Sequence, residues 1–165
     1  MKALAKITAG IALAAVLFFA WFGISTRLGV TAAVTVTPAT QDEEAFDAFR
    51  ERMTSPAFSG YVYETGILAS PSDYSFVTIT VTAKNRSLFP AEWVILTPIP
   101  KDNDIACDIS MAGPADIRGG KTAELSVTYL TASPEAVTEC GIEYYVFGKL
   151  QTATVRPETA DRPGQ

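Results

Sequence analysis

The residues with the widest chemical options in this chain of 165 are its only two cysteines, Cys107 and Cys140. Outside the cytoplasm an even pair reads first as a disulfide. Closing the loop of some 33 residues between them would stabilise a fold by roughly 3 to 4 kcal/mol on the chain-entropy estimate. Two free thiols are the alternative. A reactive thiolate would need a nearby base or a helix N-terminus; neither is visible, and C-x-x-C spacing is absent. Asp102, Asp104 and Asp108, with Asn103, supply oxygens a calcium ion could use. Their spacing only half resembles an Asp-x-Asp-x-Asp loop, and the glycine and closing glutamate are missing, which favours a solvated acidic loop. Glu139 and Glu143 are a carboxylate pair of the kind glycosidases use, but no cleft-forming motif surrounds them. Asn85-Arg86-Ser87 matches a glycosylation sequon, a three-residue match that chance supplies readily. There is no histidine, which removes the usual general base, the usual metal ligand and any imidazole-based triad. These residues point to a protein that is not an enzyme and holds no cofactor or metal.

Which compartment holds those residues depends on the run Ile7 to Ile24, eighteen residues without a charge. As a helix it would span roughly 27 Å, close to the hydrocarbon thickness of a bilayer. Trp21 and Phe22 stand near its far end, where aromatic rings favour the headgroup boundary. Lys2 and Lys6 precede it and only Arg27 follows closely, a bias that leaves the N-terminus in the cytoplasm and the rest outside. A cleavable signal peptide is the competing reading, although the run is long for one and the nearest A-x-A-like site, Thr31-Ala32-Ala33, lies beyond Arg27. Both readings export the remainder. After Ala33 ten Lys and Arg face all eighteen acids, a net charge of −8. That balance argues against a nucleic-acid partner or an anionic-lipid one, since both demand a basic face.

The elements that must position these residues are mostly strands. Val30 to Pro38 is β-branched and partly alternating. Thr40 is a plausible N-cap with Glu43 three residues on, opening an amphipathic helix over 42–53 whose apolar stripe is Phe46, Phe49 and Met53. From Phe58 the period changes to two. Tyr61, Tyr63 and Ile67 suggest a short strand. Tyr74 to Ala83 is the strongest, with Val77, Ile79, Val81 and Ala83 on one face and threonines on the other. Glu92 to Ile99, Ile105 to Ser110, Thr122 to Leu130, Ile142 to Phe147 and Leu150 to Val155 follow. Gly148-Lys149 forms the expected two-residue turn of a closing hairpin, in type II′ geometry. About seven short strands with turns between them predict an all-β, antiparallel sandwich. Its expected core is Val77, Ile79, Val81, Trp93, Ile95, Leu125, Val127, Ile142, Tyr144 and Val146. The division is 1–29 for a cytoplasmic stub and transmembrane anchor, 30–156 for the sandwich, and 157–165 for a disordered tail. Arg27 and the residues to Val34 act as a stalk.

The segments VTITVTAKNRSLFPAEWVIL, IRGGKTAELSVTYL and YYVFGKLQTATV resemble immunoglobulin-like domains of bacterial surface proteins. In particular the chain is similar, over about 74–156, to the small FxLYD-like sandwiches that follow a single membrane anchor or lipobox. That resemblance implies an immunoglobulin-like sandwich and transfers no catalytic residue. The chain departs from antibody-type domains because neither cysteine lies on the Val77–Val81 strand, and the 42–53 helix is an addition. Phe76, Tyr145 and Phe147 could form an outer apolar patch for a partner, or the 42–53 helix could cover it. The expectation is a single-pass cell-membrane protein, anchored through Ile7 to Ile24. Its extracytoplasmic module binds or scaffolds an envelope protein or polysaccharide, with no nucleic-acid partner. The alternative is a signal-cleaved envelope enzyme or carbohydrate-active accessory domain using surface carboxylates.

Overall fold

Alternation of Val and Thr builds the central strand. In the computed structural model, which describes residues 2–25, 27–66, 68–135 and 139–156 (for 2–5 and 22–25 the backbone alone), β3 spans Ser75–Asn85. Its Val77, Ile79, Val81 and Ala83 are fully buried, while on the other face the Thr78 and Thr128 hydroxyls meet at 3.0 Å. β1 (Leu28–Pro38) and β7 (Thr122–Thr131) flank β3 antiparallel, with Ile79 opposite both Val34 and Val127. β5 (Asp104–Asp108) and β2 (Gly60–Val62) complete this first sheet in the order β1-β3-β7-β5-β2. The second sheet runs β6 (Ala115–Ile117), β4 (Ala91–Pro98), β8 (Cys140–Val146), β9 (Lys149–Val155). Val94, Leu96, Ile142, Tyr144 and Val146 of that sheet share one buried cluster with Val77, Ile79, Val81, Leu125 and Val127 of the other. The result is the all-β antiparallel sandwich expected from the strand spacing; the three-residue strand β6 is too short for a periodic signal.

Helix α2 (Glu43–Met53) covers the outer face of the first sheet, toward the end where β3 begins and β7 ends. Phe46 and Phe49 are buried in a second cluster with Ile105 and Leu130, against which Tyr74 and Phe76 pack. The cap differs from expectation. Thr40 is absorbed in a 3-10 turn, Ala39–Gln41, and Asp42 is the N-cap, its carboxylate accepting from the Ala45 amide at 2.9 Å. An aspartate offers the same acceptor as threonine with a charge that suits the helix dipole.

Two further differences have local backbone causes. Trp93, expected in the core, is 58 % exposed. It sits in a bulge, with φ at 53°, where register shifts against both β6 and β8. The extra residue reverses the alternation, so Val94 and Leu96 point inward and Ile95 is only half-buried. In the closing hairpin, Val146 pairs with Lys149, leaving Phe147 and Gly148 as the turn, both with positive φ. That is type I′ geometry one residue earlier than expected.

Helix α1 (Lys2–Ser25) covers the apolar run. Among the described residues no helix is long and apolar enough to cross a membrane; the side chains described in α1 are those of 6–21, roughly 24 Å of helix. β1 begins at Leu28, so the stretch to Val34 is paired sheet rather than a stalk. Tail residues 157–165 and Ile67 lie outside the described residues.

The strands fix two ends. β1 starts, β3 ends and β7 starts at what is here the α1 end, together with the β3–β4 loop, the β6–β7 loop and the Phe147-Gly148 turn. The start of α2, the loop 99–103 and residues 132–135 lie toward the opposite, far end.

Candidate functional site

The acidic loop is committed to the protein itself. Asp108 is a strand residue: its Oδ1 accepts from the Ser110 amide at 2.8 Å, and its Oδ2 pairs with Arg52 of α2 at 2.9 Å. Arg52 in turn lies 5.3 Å over the Phe49 ring. Asp104 is buried, with Oδ2 accepting from the Lys101 amide at 2.8 Å. Its Oδ1 is buried without a hydrogen-bond partner among the described residues. Asp102 is exposed. Among the described residues no three His, Cys, Asp or Glu side chains are grouped to hold a metal, so the candidate trio Asp102, Asp104 and Asp108 does not assemble. Asp104 and Asp108 stand at opposite ends of the extended β5, roughly 13 Å apart along the chain, and Arg52 holds the second.

Cys107 and Cys140 do not form the expected disulfide; both are free thiols, fully buried in the inter-sheet core on opposite sheets. They act there as small apolar fillers. Burial pushes the Cys107 thiol up to about 12, assisted by the charges of Asp108 and Asp104, and pushes Cys140 up to about 11. Such groups are proton-bound at neutral pH and shielded, the reverse of a nucleophile's setting.

Asn85 is buried rather than presented as a glycan acceptor. Its Nδ2 donates to the Phe89 and Ile117 carbonyls at 2.7 and 2.8 Å, and its Oδ1 accepts from the Ser87 amide at 2.9 Å. One side chain thus ties the β3–β4 loop to β6. Glu139 is held by Lys101 and Arg156, each at 3.4 Å. Four residues of extended chain separate it from Glu143 by roughly 13 Å, beyond the roughly 5 to 10 Å of a glycosidase pair. A depression of about 800 Å³ beside α2 is bordered by Glu44, Asp47, Glu51 and Leu68. Its three acids are exposed helix-surface neighbours rather than a convergent buried set.

The aromatic trio splits. Phe76 lies at the far end, its ring 5.5 Å from Phe49, so α2 covers it. Tyr145 and Phe147 lie toward the α1 end of the second sheet. Tyr145 stands opposite Glu92 on one side and Leu150 on the other. Tyr145 and Leu150, paired on the outer face of that sheet, and the exposed Trp93 of the bulge make a strip that also holds Glu92, directly opposite Tyr145. Phe147, 62 % exposed, sits at the hairpin tip with its ring 4.4 Å from Phe89. Alternation alone finds Tyr145; Trp93 joins it only because of the bulge.

No family model matches the chain, and no curated protein matches it. Among solved structures the chain is similar to one described as the X-ray structure of Northeast Structural Genomics Consortium target SoR45. That likeness has a TM-score of 0.37 at 11 % identity, covers 81 % of this chain and 89 % of that one, and carries no argument about function.

Proposed function

We propose that this protein is a single-pass, membrane-anchored immunoglobulin-like module with a non-enzymatic binding or scaffold role on the outer side of the bacterial cell membrane. The observation that carries this reading is the state of α1. From Ile7 to Trp21 every large apolar side chain is between 51 and 69 % exposed, on all sides of the helix. A helix whose described side chains are apolar on every face and more than half exposed is suited to a hydrocarbon solvent. The order β1-β3-β7 in one sheet and β4-β8-β9 in the other supports the immunoglobulin-like description. The strip of Trp93, Tyr145 and Leu150 is the surface on which an envelope protein or a polysaccharide would bind, since exposed aromatic side chains offer large area at low entropic cost.

Alkaline carbonate extraction of native membranes, followed by protease treatment of intact spheroplasts, tests the anchor. The full-length chain should stay with the membrane and lose its sandwich to the protease. A full-length soluble cytoplasmic chain would overturn the reading, and a shortened soluble chain outside would favour the cleaved-signal alternative. For the binding role, a photo-crosslinker at Tyr145 should capture one defined partner, and Trp93→Ala should abolish the capture.

A further inference from the structure

A net charge of −5 for the whole chain conceals how its charges are arranged. The topology gathers Arg27, Lys84, Arg86, Arg118, Lys121 and Lys149 at the α1 end, all of them exposed. None of the six is in an ion pair among the described residues. By register Glu92, Asp116 and Glu124 also lie toward this end, and an oxygen of Asp116 is taken by the Trp93 amide at 2.9 Å. The acids concentrate at the far end, on α2 and the loops beside it, with Asp42, Glu43, Glu44, Asp47 and Asp102 exposed. Arg86 is held beside the start of β1 because Gly29 leaves room: a Cβ there would lie 3.0 Å from the Arg86 Nε. Within this cationic end two apolar side chains project from turn tips, Leu88 at 80 % exposure and Phe147 at 62 %. Cations ringing exposed apolar tips are the composition of an interfacial membrane contact. α1 ends at Ser25 and β1 begins at Leu28. The connection spans at most about 10 Å, roughly one Debye length at physiological salt.

Resting on the reading of α1 as an anchor, we propose that the α1 end of the sandwich docks on the anionic phospholipid headgroups of the leaflet from which its own helix emerges. The six cations face lipid phosphates, and Leu88 and Phe147 enter the headgroup boundary. The far end and its acids are thereby turned away from the membrane.

The test uses the full chain with Trp21→Phe, Trp93→Phe and Leu88→Trp, so that a single indole reports from the loop tip. The chain is reconstituted in nanodiscs of phosphatidylcholine alone or with about one third phosphatidylglycerol, where each basic residue near the surface contributes to attraction. Acrylamide quenching should fall at least about threefold with the anionic lipid, and the protection should disappear in 0.5 M salt, as screening requires. Two double reversals, Arg86→Glu with Lys121→Glu and Arg118→Glu with Lys149→Glu, should each remove it. Equal quenching in the two lipids, or protection that survives both reversals, overturns the proposal while leaving the anchor intact. A chain that fails to co-purify with the discs overturns both. Protection by a single-stranded oligonucleotide in detergent, with none from phosphatidylglycerol, overturns it in favour of a nucleic-acid surface.

Discussion

Asn85 makes the sharpest stability prediction. Replacing it by alanine removes two donated hydrogen bonds and one accepted bond, all between 2.7 and 2.9 Å. It leaves the Ile117 carbonyl and the Ser87 amide without their partner in a buried setting. The Phe89 carbonyl is part-buried and can regain water. At about 1 kcal/mol net per bond, with an added penalty for each orphaned buried group, the loss is about 3 to 4 kcal/mol. For a sandwich of this size that lowers the melting temperature by about 10 to 15 °C. Asn85→Asp, nearly isosteric, keeps the acceptor for Ser87 but sets a carboxylate oxygen against two carbonyls, so its loss should equal or exceed that of alanine. Urea and thermal unfolding of the full chain in detergent, followed by circular dichroism, measure both variants. A loss below about 1 kcal/mol for alanine, or an aspartate variant more stable than the alanine one, would refute the assignment of Asn85 as the tie between the β3–β4 loop and β6.

Three other outcomes follow from the core. The cysteines keep their protons in the folded state up to about 12 and about 11, whereas the unfolded chain releases them near 9. The stability they contribute is therefore complete below pH 9 and is lost as pH rises from there. Urea midpoints of the full chain should fall across that interval, and the double variant Cys107→Ala, Cys140→Ala should fall less; an equal fall in both would exclude the thiols as the cause. Phe46→Ala removes a fully buried ring stacked on Tyr74 at 5.9 Å and should cost about 3 to 5 kcal/mol in unfolding free energy. Gly60→Ala would drive a Cβ into the Cys107 carbonyl and the Phe58 ring, costing about 2 kcal/mol and exposing β2 to limited proteolysis before the rest of the sheet.

Strong alternation made the central strands legible. Val77 to Ala83 and Leu125 to Tyr129 need no tertiary information to declare a face, and both are buried as expected. The Trp93–Leu96 segment was not legible in the same way, because WVIL is apolar at every position and its parity is decided by a bulge shared with two partner strands. The N-cap and the hairpin each moved by a residue or two for a similar reason: Thr40 and Asp42 are both good caps, and Phe147-Gly148 competes with Gly148-Lys149 until cross-strand register selects one. Net charge does not report how charges are arranged. The −8 balance after Ala33 is a sum over the whole exterior, while loops 86–90, 118–121 and 147–148 meet only in three dimensions and carry mostly the opposite sign.

The edge position of β1 bears on how the module responds to force. β1 begins at Leu28, shortly after α1, and pairs with β3 in continuous register to Pro38, while β9 ends at Val155 toward the far end. A pull applied between Leu28 and Val155 is thus directed along the strand axes. Ladder hydrogen bonds lie across those axes, so the β1–β3 ladder is sheared as a unit instead of being peeled open one pair at a time. β1 therefore meets such a pull in shear against β3 rather than in peeling.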